Sequence, residues 1–195
     1  MKLIARGDLS RYHTSGQSEV QRLEEELCRV IGVEHTLGVN SGTSALICGL
    51  VGAGVGPGDE VLVPAYTWVS SAAAPLAVGA VPVLVEINET LTIDPEDIRK
   101  KITPQTKAII VVHMLNLVCD MDSIMAIAKQ HDLVVIEDAC QAVGVTYKGR
   151  RVGSIGHVGA FSFNQHKNIQ SGEGGAVLTS DPRIHARALM YHDVG

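Results

Sequence analysis

Aromatic residues make up only 4% of this 195-residue chain, and among them stands a single tryptophan, Trp68. The four cysteines, Cys28, Cys48, Cys119 and Cys140, are widely separated and form no CxxC pair, so neither a disulfide framework nor a zinc site is indicated. Free thiols fit a reducing cytoplasm. No apolar stretch approaches the ~20 residues of a membrane span, and the N-terminus lacks the apolar core of a signal peptide. The expectation is a cytoplasmic protein without a membrane partner. Positive charge is also scarce: 16 Lys and Arg against 21 Asp and Glu give a formal charge of -5, which argues against nucleic acid as the main partner. Any phosphate must then be bound locally.

Several catalytic signatures are missing as well. There is no GxGxxG, no P-loop, no GxSxG elbow, and no HxxxH or HExxH spacing among His113, His157 and His166, so no metal is expected. These histidines read as hydrogen-bonded loop or core residues.

What is present is the composition of one soluble globular domain, 46% hydrophobic and 19% charged. Ser18 and Gln21 form a capping box, and Val20, Leu23, Leu27, Val30 and Ile31 follow at helical spacing until Gly32. Strands and helices then alternate. Strands are expected near 35–39, 61–63, 83–85, 108–112 and 133–136, with helices over 42–53, 68–78, from 94 and over 122–130. Unbroken apolar strands such as Leu133-Val134-Val135-Ile136 suit a parallel sheet covered on both faces. The fold class is therefore three-layer α/β/α with a mostly parallel sheet. Two further strands, 158–163 and 176–179, bracket a glycine-rich loop, and Pro182 opens a last helix running to the C-terminus.

In such sheets ligands sit at the carboxyl ends of the strands. Asn40-Ser41-Gly42-Thr43-Ser44 links a strand to a helix there; its glycine, free N–H groups and hydroxyls can cradle an anion, or can form an ordinary N-cap. Asp138 follows a buried strand, where a carboxylate needs a cationic partner; a protonated pyridine nitrogen and a structural salt bridge both qualify. Glu137 faces the other way and reads as structural. Gln141 could reach the same ligand as a neutral donor. Trp68, just after a strand, could stack on a flat cofactor or simply fill core space. Lys167, between Ser162-Phe163 and Gly172-Glu173-Gly174-Gly175, is placed where an amine could form a Schiff base with a carbonyl cofactor. Together these residues suggest a pyridoxal phosphate (PLP) site.

The motifs Ser41-Gly42-Thr43-Ser44-Ala45, Gly56-Pro57-Gly58-Asp59-Glu60-Val61, Pro64-Ala65-Tyr66-Thr67-Trp68, Glu137-Asp138-Ala139-Cys140-Gln141-Ala142 and Ser162 through Lys167 to Gly175 resemble, in this order, the DegT/DnrJ/StrS-type sugar aminotransferases of the aspartate aminotransferase fold. The resemblance implies PLP as cofactor, Lys167 as the Schiff-base lysine, Asp138 as the pyridinium partner and Trp68 as the stacking residue. It further implies Gln141 as a cofactor-side contact, and Gly42, Thr43 and Ser162 as phosphate ligands. The implied reaction moves an amino group from glutamate or glutamine to a keto-sugar, as a nucleotide sugar, or to a keto-cyclitol, within a homodimer. On this reading residues 1–16 are an N-terminal arm and 17–195 a PLP-binding large domain, incomplete at its C-terminus, with the family's small C-terminal domain absent. Two alternatives fit the same residues: a truncated, catalytically silent PLP-binding or subunit-pairing protein, and a PLP-dependent sugar dehydratase, which Lys167 disfavours because those relatives carry histidine there. One loop departs from the family pattern: Met114-Leu115-Asn116-Leu117-Val118-Cys119 lacks the glycine and proline common in relatives, and a different loop shape is expected.

Overall fold

A computed structural model describes Gly7, Arg11, Tyr12 and residues 16–193. Most of the expected N-terminal arm lies outside the described residues.

The capping box forms as read: Ser18 Oγ accepts from the Gln21 N–H, and Gln21 Oε1 accepts from the Ser18 N–H, opening α1 (Glu19–Ile31), which Gly32 ends at φ 83°. The alternation follows as β1 (His35–Val39), α2 (Gly42–Gly52), β2 (Glu60–Pro64), α3 (Ser70–Ala77), β3 (Val81–Val85), α4 (Pro95–Lys101), β4 (Thr106–Val112), α5 (Met121–His131) and β5 (Val134–Asp138). A short hairpin of β6 (Thr146–Tyr147) and β7 (Arg150–Arg151), β8 (Val158–Ser162), β9 (Gly175–Thr179) and α6 (Pro182–His192) complete it. Most boundaries shift by one or two residues from the sequence reading. The helix expected from Trp68 begins at Ser70, and the strand expected from Val83 begins at Val81, where pairing with Glu60 extends it.

Seven strands form one sheet in the order β1-β9-β8-β5-β4-β2-β3. The β2–β3, β2–β4, β4–β5 and β5–β8 pairs are parallel; β9 runs antiparallel to both its neighbours. Alternate residues along β4 point to opposite cores: Ile109 and Val111 pack with Ile124 and Ile127 of α5, whereas Ala108, Ile110 and Val112 pack with Leu46 and Leu50 of α2. Helices thus cover both faces, giving the three-layer architecture. This apolar burial on two faces is also why the central strands read as unbroken hydrophobic runs.

The topology brings the carboxyl ends of β4, β5 and β8, at Val112, Asp138 and Ser162, to one edge. Because β9 is reversed, its start at Gly175 lies at that edge too, opposite Ser162. No helix among the described residues is long and apolar enough to cross a membrane.

Candidate active site

Gly42, Thr43, Trp68, Asp138, Gln141, Ser162 and Lys167 all line one cleft of about 660 Å³ at this edge. They come from five segments separated by up to 125 positions, brought together by the parallel crossovers.

One end of the cleft is built for an anion. Ser41 caps α2 by accepting the Ser44 N–H at 3.1 Å, which leaves the N–H groups of Gly42 and Thr43 without partners among the described residues. The positive end of the helix dipole adds to them. The Thr43 and Ser70 hydroxyls lie 2.8 Å apart, and Ser162 lines the same space. Glycine at 42 is required by packing: a Cβ there would stand 2.7 Å from Cys140 Sγ and 2.8 Å from Ser162 Cβ. Only without a side chain can the starts and ends of α2, β5 and β8 converge this closely.

Asp138 closes the other end of the floor. It is 6% exposed; Oδ2 accepts the Ser71 hydroxyl at 2.7 Å and Oδ1 the Cys140 N–H at 3.3 Å. No ion pair reaches it among the described residues. Burial, followed by the Asp138 carboxylate, pushes the neighbouring Cys140 thiol well above its ordinary value, while the Lys167 ammonium works in the opposite direction. The thiol therefore stays protonated and donates to the Ala160 carbonyl at 3.6 Å.

Glu137 points to the opposite face of β5, as alternation requires. Fully buried, it accepts the N–H groups of Ile155 and Gly156 on Oε1 and of Gly153 on Oε2, and Oε2 also bonds His113 Nε2 at 3.0 Å. It anchors the loop before β8. All three histidines are hydrogen-bonded as expected from the sequence: His113 to Glu137 in the interior, His157 to the Val135 N–H, and His166, bonded to the Gln165 side chain, on the exposed cleft lip beside Lys167.

Lys167 is half-buried on the loop between β8 and β9, and this loop is tied to itself. Phe163 N–H donates to Gly174 O, Gln165 N–H to Gly172 O and Lys167 N–H to Asn164 O, all within 2.8–2.9 Å. The side chain of Asn164 reaches Glu173 and that of Asn168 reaches Val143 O. Lys167 Nζ makes no ion pair among the described residues. Trp68, 63% exposed, and Leu115, 62% exposed, stand at the rim. The departing loop is a 3₁₀ turn, Met114–Asn116, with Leu115 at φ 51° and Asn116 at φ 68°; Leu115 N–H donates to Gln141 Oε1 at 3.3 Å. Ser70, Ser71, Asn164 and Asn168 were not among the residues expected from the sequence. The one available signal was the i, i+4 spacing of Thr67 and Ser71 at a helix start.

Among the described residues no cluster of three or more His, Cys, Asp or Glu could hold a metal ion. The chain is 42% identical over 177 residues to GDP-perosamine synthase of Caulobacter vibrioides, covering 90% of this chain and 48% of that protein. It is 44% identical over 172 residues to L-glutamine:2-deoxy-scyllo-inosose aminotransferase of Streptoalloteichus tenebrarius, covering 88% and 41%. Among solved structures, NtdA of Bacillus subtilis with bound cofactor PMP superposes with a TM-score of 0.87 at 35% identity, covering 97% of this chain and 42% of that one. The chain spans about half the length of the curated relatives it matches. The model of the DegT/DnrJ/EryC1/StrS aminotransferase family matches residues 7–195, and the chain belongs to that family.

Proposed function

We propose that this cleft is the cofactor site of a PLP-dependent aminotransferase that transfers an amino group from glutamate or glutamine to a keto-sugar, as a nucleotide sugar, or to a keto-cyclitol. The observation that carries the proposal is Asp138: a buried carboxylate whose oxygens accept, among the described residues, only neutral donors, facing a cleft that also presents the Lys167 amine, which makes no ion pair among those residues. An ionised carboxylate in that position calls for a cationic ligand group. A protonated pyridine nitrogen meets that need, and the dianionic phosphate of the same molecule meets the N-terminus of α2. The residues fit PLP at both ends.

When bound, PLP supplies a carbonyl that takes up amines and a protonated ring that withdraws electrons from the adjoining carbon. Asp138 would accept the proton of the ring nitrogen in a hydrogen bond and so keep it there. Lys167 would hold the cofactor's carbonyl group, and its Nζ, when free, would be the base that takes and returns a proton beside it. Gly42 and Thr43 bind phosphate through their N–H groups, with the Thr43 and Ser162 hydroxyls beside them. The Trp68 indole at the rim would stack on the ring and keep water from it. Gln141, just after β5 and accepting the Leu115 N–H on its Oε1, would contact the cofactor from the side of the 114–116 turn.

Residues 17–195 serve, on this reading, as the cofactor-binding large domain. A second copy of the chain covers the exposed rim at Trp68 and Leu115, forming a homodimer. The free cysteines Cys28, Cys48, Cys119 and Cys140 suit the reducing cytoplasm as its location.

The half-reaction tests the proposal. Mixing the chain with PLP and excess glutamate or glutamine should convert the cofactor to its amine form and release one equivalent of the 2-oxo acid. A protein that binds PLP yet releases none from either donor would contradict it.

A further inference from the structure

Asp138 is held from behind by a hydroxyl 67 positions away in the chain. Ser71, fully buried in the first turn of α3, donates to Oδ2 at 2.7 Å, and the Thr67 hydroxyl lies 2.7 Å from Ser71 Oγ. A serine hydroxyl has one proton to give. The carboxylate can only accept, so that proton goes to Asp138, and the Thr67 hydroxyl must be the donor to Ser71. The relay runs one way, from Thr67 through Ser71 to Asp138. The Cys140 N–H occupies Oδ1. With both oxygens tied, the carboxylate cannot turn without breaking a buried hydrogen bond, which is costly.

The segment leading into α3 serves two sides of the cleft. The Thr67 hydroxyl meets Ser71 in the first turn of the helix, while Trp68, next to Thr67, stands exposed at the rim. Stacking surface and carboxylate support are thus set by one short segment.

We propose that Ser71 is the positioning residue of this site: resting on the reading of the cleft as a PLP site, it fixes the Asp138 carboxylate toward the ring nitrogen, with Thr67 polarising the Ser71 hydroxyl. Ser71 acts through Asp138 alone. Its influence must therefore depend on the ring nitrogen and on nothing else in the ligand. A hydrogen bond to a charged acceptor is stronger than a neutral one, so its loss is measurable in binding.

Two ligands separate this role from a merely structural one: pyridoxamine 5'-phosphate and its 1-deaza analogue, in which a CH replaces the ring nitrogen. Neither forms a bond to Lys167. Quenching of Trp68, the single tryptophan, reports their affinity for the 195-residue chain. Ser71→Ala should weaken pyridoxamine phosphate roughly tenfold and leave the deaza analogue unchanged, and Ser71→Thr should restore the loss. Thr67→Val, which removes the relay's first donor at nearly constant shape, should show the same selective loss to a smaller degree. Equal weakening of both ligands by Ser71→Ala, or no weakening of either, overturns the role of Ser71 while leaving the cofactor site standing. If the unsubstituted chain binds neither ligand, the cofactor-site reading falls and the role of Ser71 falls with it.

Discussion

Glu137 and Asp138 are adjacent acids with opposite duties, and the period of two along β5 is what separates them. Glu137 faces the core under α5, where three hydrogen bonds hold the loop before β8 and a fourth reaches His113 after β4. Asp138 faces the cleft. Glu137→Gln keeps the shape but turns an amide donor toward backbone donors, so we expect a loss of about 2–4 kcal/mol in denaturant unfolding. Asp138→Asn should leave the unfolding midpoint nearly unchanged and slow amino transfer by at least ~100-fold, the scale of losing a preorganised charge partner. A reversed outcome, with Glu137→Gln silent in stability and Asp138→Asn unfolding the protein, would contradict this division of roles.

The β6–β7 hairpin is joined by Lys148 and Gly149 at φ 48° and 82°, the left-handed pair of a type I′ turn. Asparagine tolerates the first of these positions better than lysine. Lys148→Asn should therefore raise stability by roughly 0.5–1 kcal/mol. The ion pair to Asp122 that it removes is exposed and contributes little. Thermal unfolding measures the difference. This hairpin was not legible in the sequence, because two-residue strands carry no periodicity. The long elements were: an apolar run such as Val134 to Ile136 cannot be stable unless both faces are covered, and the chain shows the helices that cover them. The seven candidate site residues also converge, because each follows or precedes a strand at the carboxyl edge. The Ser71 tie to Asp138 stayed hidden, since a serine inside a helix looks like any other until the crossover from β2 to β4 and β5 brings the two together. The reversal of β9 was equally invisible; its apolar residues read alike in either direction.

At the scale of the whole molecule, two histidines lowered by burial, His157 and His185, make stability fall toward acid pH. Burial lowers His157, whose Nδ1 accepts the Val135 N–H at 2.9 Å. Burial, followed by the charge of His35 stacked 4.8 Å away, lowers His185. Both stay neutral in the folded protein at pH values where the unfolded chain, with histidine near 6.5, already binds protons. The unfolded state then holds more protons, so this contribution is fully present above pH 6.5 and is lost as the pH falls through the lower folded values. Urea midpoints should drop as the pH falls below 6.5. The drop should be smaller in His157→Gln, which keeps an acceptor and removes the titration; an identical drop in both proteins would exclude His157 as a source.

The cleft at the carboxyl edge of the sheet is central to function, and the claim to test is that its lysine and carboxylate hold PLP. Borohydride reduction of the chain with PLP, followed by peptide mass mapping beside a Lys167→Ala control, tests it most directly. A pyridoxyl adduct confined to Lys167 and lost in the control is the expected result; no adduct, or one spread over surface lysines, would contradict the account.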